Sequence, residues 1–114
     1  MGRETVRLVI TTVEDGEQAS SLAGRLVEER LAACVSVLPP MVSTYRWRGR
    51  IETAEERLLL IKTAWSGEEE RKSFFERLAA MHPYEEPEIL SFDADHAAEG
   101  YLDWLLRGLE GGGA

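Results

Sequence analysis

The chain switches repeatedly between two hydrophobic periods. Thr5 to Val13 (TVRLVITTV) is dense in β-branched residues and ends at the polar cluster Glu14, Asp15 and Gly16, which predicts a buried strand. Next, Ala19, Leu22, Ala23, Leu26 and Val27 fall at i, i+3, i+4, i+7 and i+8, with Arg25, Glu28, Glu29 and Arg30 on other faces. That spacing predicts an amphipathic helix from about Asp15 to about Ala32. Cys34 to Leu38 (CVSVL) returns to strand character, and Pro39-Pro40 removes two ladder donors before the strand resumes at Met41. Val42 to Trp47 and Arg50 to Thr63 flank Arg48-Gly49, where Gly49 supplies a positive φ for a tight turn, so the pair reads as a long β-hairpin. Its tip is polar and its base is Leu58-Leu59-Leu60-Ile61. Ser66 and Glu69 have capping-box spacing and open a second helix with Phe75, Leu78 and Ala79 as its apolar stripe. It ends where Pro83 restricts His82. Glu88 to Ala94 is a further strand, and Ala98, Tyr101, Leu102, Leu105, Leu106 and Leu109 then repeat at helical spacing.

This order of elements, with right-handed crossovers, predicts an α+β fold: a ferredoxin-like split βαβ sandwich with a long β-hairpin and an extra C-terminal helix. We expect a single domain over residues 1–110 and a disordered Gly-rich tail over 111–114. Helices cover only one face of such a sheet, and the hairpin projects uncovered edges, so the fold predicts a homo-oligomer built by strand pairing. Closure would bury Tyr45, Trp47 and Trp65.

Charge then narrows the partners. Thirteen Lys plus Arg stand against 21 Asp plus Glu, a net charge of −8. That balance removes the counterion release behind most nucleic-acid binding and disfavours anionic lipid surfaces, so the expectation is no nucleic acid and no membrane. No apolar run approaches the roughly 20 residues a bilayer span needs. Arg3, Glu4 and Arg7 occupy the place of a signal peptide's apolar stretch. One cysteine, Cys34, permits neither an intrachain disulfide nor a Cys-rich zinc framework, and a reducing cytoplasm is the expected compartment.

Each chemistry-bearing residue has two readings. Cys34 is either a small buried hydrophobe or a soft thiolate ligand for Cu(I) or a related metal, with His82 as its partner. His82 is either that ligand or a capping histidine at a helix C-terminus. The stretch His82-Pro83-Tyr84-Glu85-Glu86-Pro87 either binds a cation or a small ligand, or is a rigid polar turn. Lys62 is either a half-buried cation that recognises an anion or a snorkelling strand-end lysine. Trp47 between Arg46 and Arg48 has the form of a stacking platform for nucleic acid, but with net charge −8 packing between subunits is the better account. His96, preceded by Asp93 and Asp95, is either a weak surface metal site or the solvated start of the last helix, and the acidic runs Glu52, Glu55, Glu56 and Glu68-Glu69-Glu70 are solvated surface or a means of concentrating cations. No Walker A, GxGxxG, GxSxG, HExxH or paired CxxC is present.

Five segments in order resemble one family: Val27 to Val35 (VEERLAACV), Tyr45 to Ile51 (YRWRGRI), Leu59 to Thr63 (LLIKT), His82 to Glu85 (HPYE) with Pro87-Glu88-Ile89, and Tyr101 to Trp104 (YLDW). Together they are similar to the CutA divalent-cation tolerance family, from Thr11-Thr12 to Trp104. The resemblance implies a ferredoxin-like subunit in a tight trimer, built like the PII signal-transduction proteins, with hairpins packed between subunits. It implies Cys34 and His82 as metal residues, and Tyr45, Trp47, Lys62, Tyr84 and Glu85 around an inter-subunit cleft. The chain departs from the family pattern at Asp93 to Gly100 (DADHAAEG).

The functional expectation is a cytoplasmic, non-enzymatic homotrimer that binds copper or another divalent cation and contributes to tolerance of such ions, with no obligatory cofactor. The alternative is a PII-like signalling module that takes a small molecule or a protein partner through its clefts. An enzyme using Cys34 or His82 ranks last, because no orienting acid can be assigned.

Overall fold

The β-branched run Thr5–Val13 forms strand β1, and the amphipathic segment after it forms helix α1, Gly16–Glu28. Then come β2 (Cys34–Val37), β3 (Met41–Trp47), β4 (Arg50–Trp65), α2 (Glu68–Met81), β5 (Leu90–Asp93) and α3 (Glu99–Leu109). The structure, a computed structural model, describes residues 5–110. The expected tail at 111–114 lies outside them.

The sheet runs β2-β4-β1-β5, every neighbouring pair antiparallel, with β3 pairing the outer half of β4. This is the ferredoxin-like α+β arrangement. Strand parity divides it into two faces. Val9, Thr11 and Val13 lie opposite Ile61, Leu59 and Arg57 on the face under the helices. Val9, Val13, Leu59, Ile61 and Trp65 form the core there with Ala19, Leu22 and Leu26 of α1 and Phe74 and Leu78 of α2. Trp65 stacks obliquely on Phe74, ring centroids 5.4 Å apart, and is 5% exposed. The expectation that assembly would bury Trp65 is therefore corrected: its parity turns it toward this chain's own helices.

On the second face stand Leu8, Ile10, Leu58, Leu60, Leu90 and Phe92, none of them fully buried. α3 packs against β4 and buries Leu105 away from the main core. Leu90 and Phe92 remain about half exposed, at 49% and 51%. β3 and the outer half of β4 leave the body as a two-stranded ribbon, about 23 Å for seven residues. It stretches the molecule to 48 × 26 × 25 Å. At its tip Arg48 (φ 51°) and Gly49 (φ 79°) make a two-residue turn with both φ values positive, the type I′ geometry that follows the twist of the strands.

Several boundaries differ from the sequence expectation. α1 stops at Glu28 rather than near Ala32, because Arg30 turns left-handed (φ 60°). Leu31 N–H then donates to the Leu26 carbonyl at 2.9 Å and Arg30 N–H to the Val27 carbonyl at 3.0 Å, closing a Schellman motif. Ser66 pairs with Glu70, not Glu69: its N–H and hydroxyl donate to Glu70 Oε1 at 2.6 and 2.9 Å. α2 buries Phe74 with Leu78, while Phe75 is half-buried and Ala79 exposed. β5 is the four-residue core of the longer expected strand.

A left-handed arginine where glycine is usual needs a reason, and its side chain gives one. Arg30 Nη1 donates to the Gly108 carbonyl at 3.0 Å, an acceptor in the last turn of α3 that has no partner further along that helix. Arg30→Ala keeps the strained φ and loses this tie, whereas Arg30→Gly loses the tie and relieves the φ. In urea denaturation both variants should be less stable than the parent, with Arg30→Ala the worse by about 1 kcal/mol; equal losses would show that the backbone there is unstrained.

Candidate functional site

Two polar clusters sit on the same parity of β4, at Glu56 and at Lys62. The first forms where the ribbon leaves the body. β1 pairs with β5 only as far as Ile10, so the Thr12 carbonyl at that edge lacks a strand partner from β5. α2 ends just there, and Pro83 holds His82 extended at its C-cap (ψ 141°). His82 Nε2 lies 3.0 Å from the Thr12 carbonyl, and Tyr84 N–H donates to His82 Nδ1 at 3.0 Å. Since Nδ1 accepts, the ring proton resides on Nε2, which donates to Thr12. The imidazole is buried and neutral, and both nitrogens are engaged. Burial pushes its pKa below the ordinary value, against the opposing pull of the Thr12 carbonyl and Glu56.

Tyr84 extends the chain of contacts. Its ring meets His82 edge-on with centroids 4.9 Å apart, and its hydroxyl donates to Glu56 Oε2 at 2.8 Å. Burial, then the Glu56 carboxylate, drive the phenol's pKa well above its usual value, with smaller contributions from Glu14 and Tyr45. The structure thus gathers Tyr84, His82 and Glu56 at one corner, while Tyr45 stands opposite Glu52, four residues further out on the ribbon. Glu85 is beside them in sequence but exposed to solvent. Trp47 stays apart at the ribbon tip, 53% exposed, under the Arg48 guanidinium at 5.6 Å.

The second cluster is on the second face of the sheet. Register puts Cys34 opposite Lys62 and Ser36 opposite Leu60. Lys62 Nζ donates to Ser36 Oγ at 3.0 Å and lies 3.8 Å from Cys34 Sγ. Lys62 does not end its strand: β4 continues to Trp65.

These placements bear on metal binding. Cys34 is level with Leu8 of β1 through Lys62, whereas His82 reaches Thr12, four residues further along. Their sites are separated by about 13 Å along the strands and two strand spacings, about 10 Å, across them. One chain therefore does not bring Cys34 and His82 to a common ion, and His82 has no free lone pair. Among the described residues no group of three or more His, Cys, Asp or Glu side chains converges as a metal cage. Outside the clusters, His96 is exposed in the loop before α3. No described helix is long and apolar enough to cross a membrane.

Sequence reasoning missed Glu56 and Ser36. Both were marked by parity: Glu56 is two residues before Leu58 on the second face, and Ser36 is two after Cys34. Treating the run of glutamates as uniform solvated surface hid the first.

Because His82 is neutral and its pKa is lowered on folding, the unfolded chain binds more protons below about pH 6.5. Its contribution to stability is complete above that pH and is lost as pH falls through the depressed folded value. Denaturation at pH 7.5 and 5.5 should show a larger loss in the parent than in His82→Gln; identical pH responses would mean His82 charges freely in the fold.

The whole-chain comparisons agree on one family. Residues 7–107 match the family described as CutA1 divalent ion tolerance protein. A divalent-cation tolerance protein CutA from Thermus thermophilus is 44% identical over 98 residues, covering 86% of this chain and 92% of that one. A chloroplastic CutA protein from Arabidopsis thaliana is 37% identical over 102 residues, covering 86% of this chain and 52% of the longer plant protein. The crystal structure of CutA from Xylella fastidiosa superposes with a TM-score of 0.84 at 40% identity, covering 93% of this chain and 99% of that chain. With this extent of shared sequence and this sheet order, the chain belongs to the CutA1 divalent ion tolerance family.

Proposed function

We propose that this chain serves tolerance of divalent cations, copper among them, as a cytoplasmic homotrimer without catalytic activity. The observation that carries the assembly is the exposed apolar surface: Leu90 and Phe92 on the second face, with Val42 (70% exposed), Ile51 (62%), Tyr45 and Trp47 along the ribbon. A two-stranded ribbon is marginal by itself, and so much apolar surface on a small chain is stabilised by a partner. Closed three-fold packing of ribbons against neighbouring sheets covers both.

For the ion, Cys34 is the soft donor. It is the single thiol, half-buried, and on the face that assembly covers. His82 joins it only by surrendering Thr12 or Tyr84, so further donors come from groups at the assembled interface. The acidic surface, with net charge −8, raises the local cation concentration.

A second reading, a PII-like module that binds a small ligand or protein at the inter-subunit cleft, is favoured by the Tyr84–Glu56 corner, which combines an aromatic ring with a carboxylate acceptor, and by the exposed Tyr45 on the ribbon nearby.

A Cu(I) competition titration against a chelator, with mass followed by light scattering, tests the first reading. The parent should be trimeric and bind about one ion per chain tightly, Cys34→Ser should lose that binding, and His82→Ala should keep the ion while melting lower. Binding indifferent to Cys34 would remove the copper assignment, and a monomeric parent would remove the trimer.

A further inference from the structure

Lys62 is a half-buried ammonium without a carboxylate. The ion pairs among the described residues employ Arg7, Arg25, Arg71 and Arg77, and Lys62 is in none of them. In a chain with 21 acidic residues against 13 basic ones, pairing it would have been easy. A charge withdrawn from water is costly unless compensated. Its partners are a hydroxyl and a thiol, Ser36 Oγ at 3.0 Å and Cys34 Sγ at 3.8 Å.

These three groups together make a donor set. An ammonium carries three N–H bonds; the contacts to Ser36 and Cys34 use two and leave one for a ligand. The Ser36 hydroxyl, having accepted, keeps its own proton to donate, and the Cys34 thiol is a further weak donor. Leu60 and Ala64 precede and follow Lys62 on the same face, with Leu8 across the ladder, so the patch is bordered by apolar groups that strengthen a charge-assisted hydrogen bond. Within this chain β2 pairs with β4 alone and is the outermost strand, so the Cys34–Ser36 side borders the surface that the proposed assembly closes, where an inter-subunit cleft would admit a small molecule.

We infer that Lys62, Ser36 and Cys34 form a subsite for an oxyanion, the carboxylate or phosphate group of a small ligand. The ammonium supplies the charge, the Ser36 hydroxyl a directed hydrogen bond, and the thiol a soft third contact. This goes beyond cation tolerance and concerns the metal-free chain, because a copper-bound thiolate has no proton to donate.

The test follows the melting temperature of the metal-free oligomer during titration with inorganic phosphate and, separately, with succinate, at ionic strength held constant with chloride. Saturable stabilisation by one or both anions is expected, and which of them acts identifies the ligand group. Lys62→Gln should abolish the shift, Ser36→Ala should weaken apparent affinity about fivefold to tenfold, and exposed Lys72→Gln should leave it unchanged. No shift with either anion, a shift that never saturates, or one that persists in Lys62→Gln would overturn the subsite. If light scattering shows that Lys62→Gln no longer assembles, Ser36→Ala decides, and unchanged affinity there also overturns it. The copper titration is read separately, so either assignment can fail alone.

Discussion

Strand β4 carries three neighbours at once, and the molecule depends on its register. Residues 57–65 pair with β1, residues 59–62 also with β2, and residues 50–56 with β3. Because side chains alternate, one register decides which of its residues meet the helices and which meet the other face. Leu59, Ile61, Thr63 and Trp65 are buried beneath α1 and α2, while Glu56, Leu58, Leu60 and Lys62 are turned away from them. A slip of one residue would drive an ammonium and a carboxylate into a helix-covered core. The fourfold apolar run at 58–61 tolerates either parity, so the flanking residues choose between them: Thr63 hydroxyl donates to the Leu31 carbonyl at 2.7 Å, and Trp65 fills the aromatic niche beside Phe74 and Phe75.

The same register gives the two polar clusters different chemistry. At Glu56 a carboxylate accepts a hydrogen bond from a phenol, and a neutral imidazole closes an unpaired strand edge. At Lys62 an ammonium lies among a hydroxyl and a thiol. Six residues, about 20 Å of strand, separate them, so they act as distinct places within one chain. His82 in particular is structural: its bond to Thr12 ties the α2 corner to β1, and the bond from Tyr84 fixes its tautomer.

Most of the fold was legible because its signals are local. β-branched density marked β1, the 3.6-residue period marked α1, and Gly49 marked the hairpin turn. The end of α1, by contrast, involves an interaction at a distance. Nothing next to Arg30 in sequence announces that its guanidinium reaches Gly108 across 78 positions, and that contact accompanies an arginine in a left-handed cap. The site was legible in part. Residue type and motif marked Tyr84, Lys62, Cys34 and His82, but whether Cys34 and His82 meet is decided by strand register, which only the three-dimensional pairing of β1, β2 and β4 supplies.

Continuity of β4 also has a mechanical side. The ribbon is not a separate flap hinged to the body, since its inner strand is the strand that β1 and β2 grip. Tension along the ribbon axis is carried straight into that grip. The antiparallel bonds there lie across the strand, so they share the load in shear and do not peel open one after another. A pull applied at Trp47 by a bound neighbour is therefore resisted by the whole sheet, and the ribbon works as a tie-rod anchored in the core.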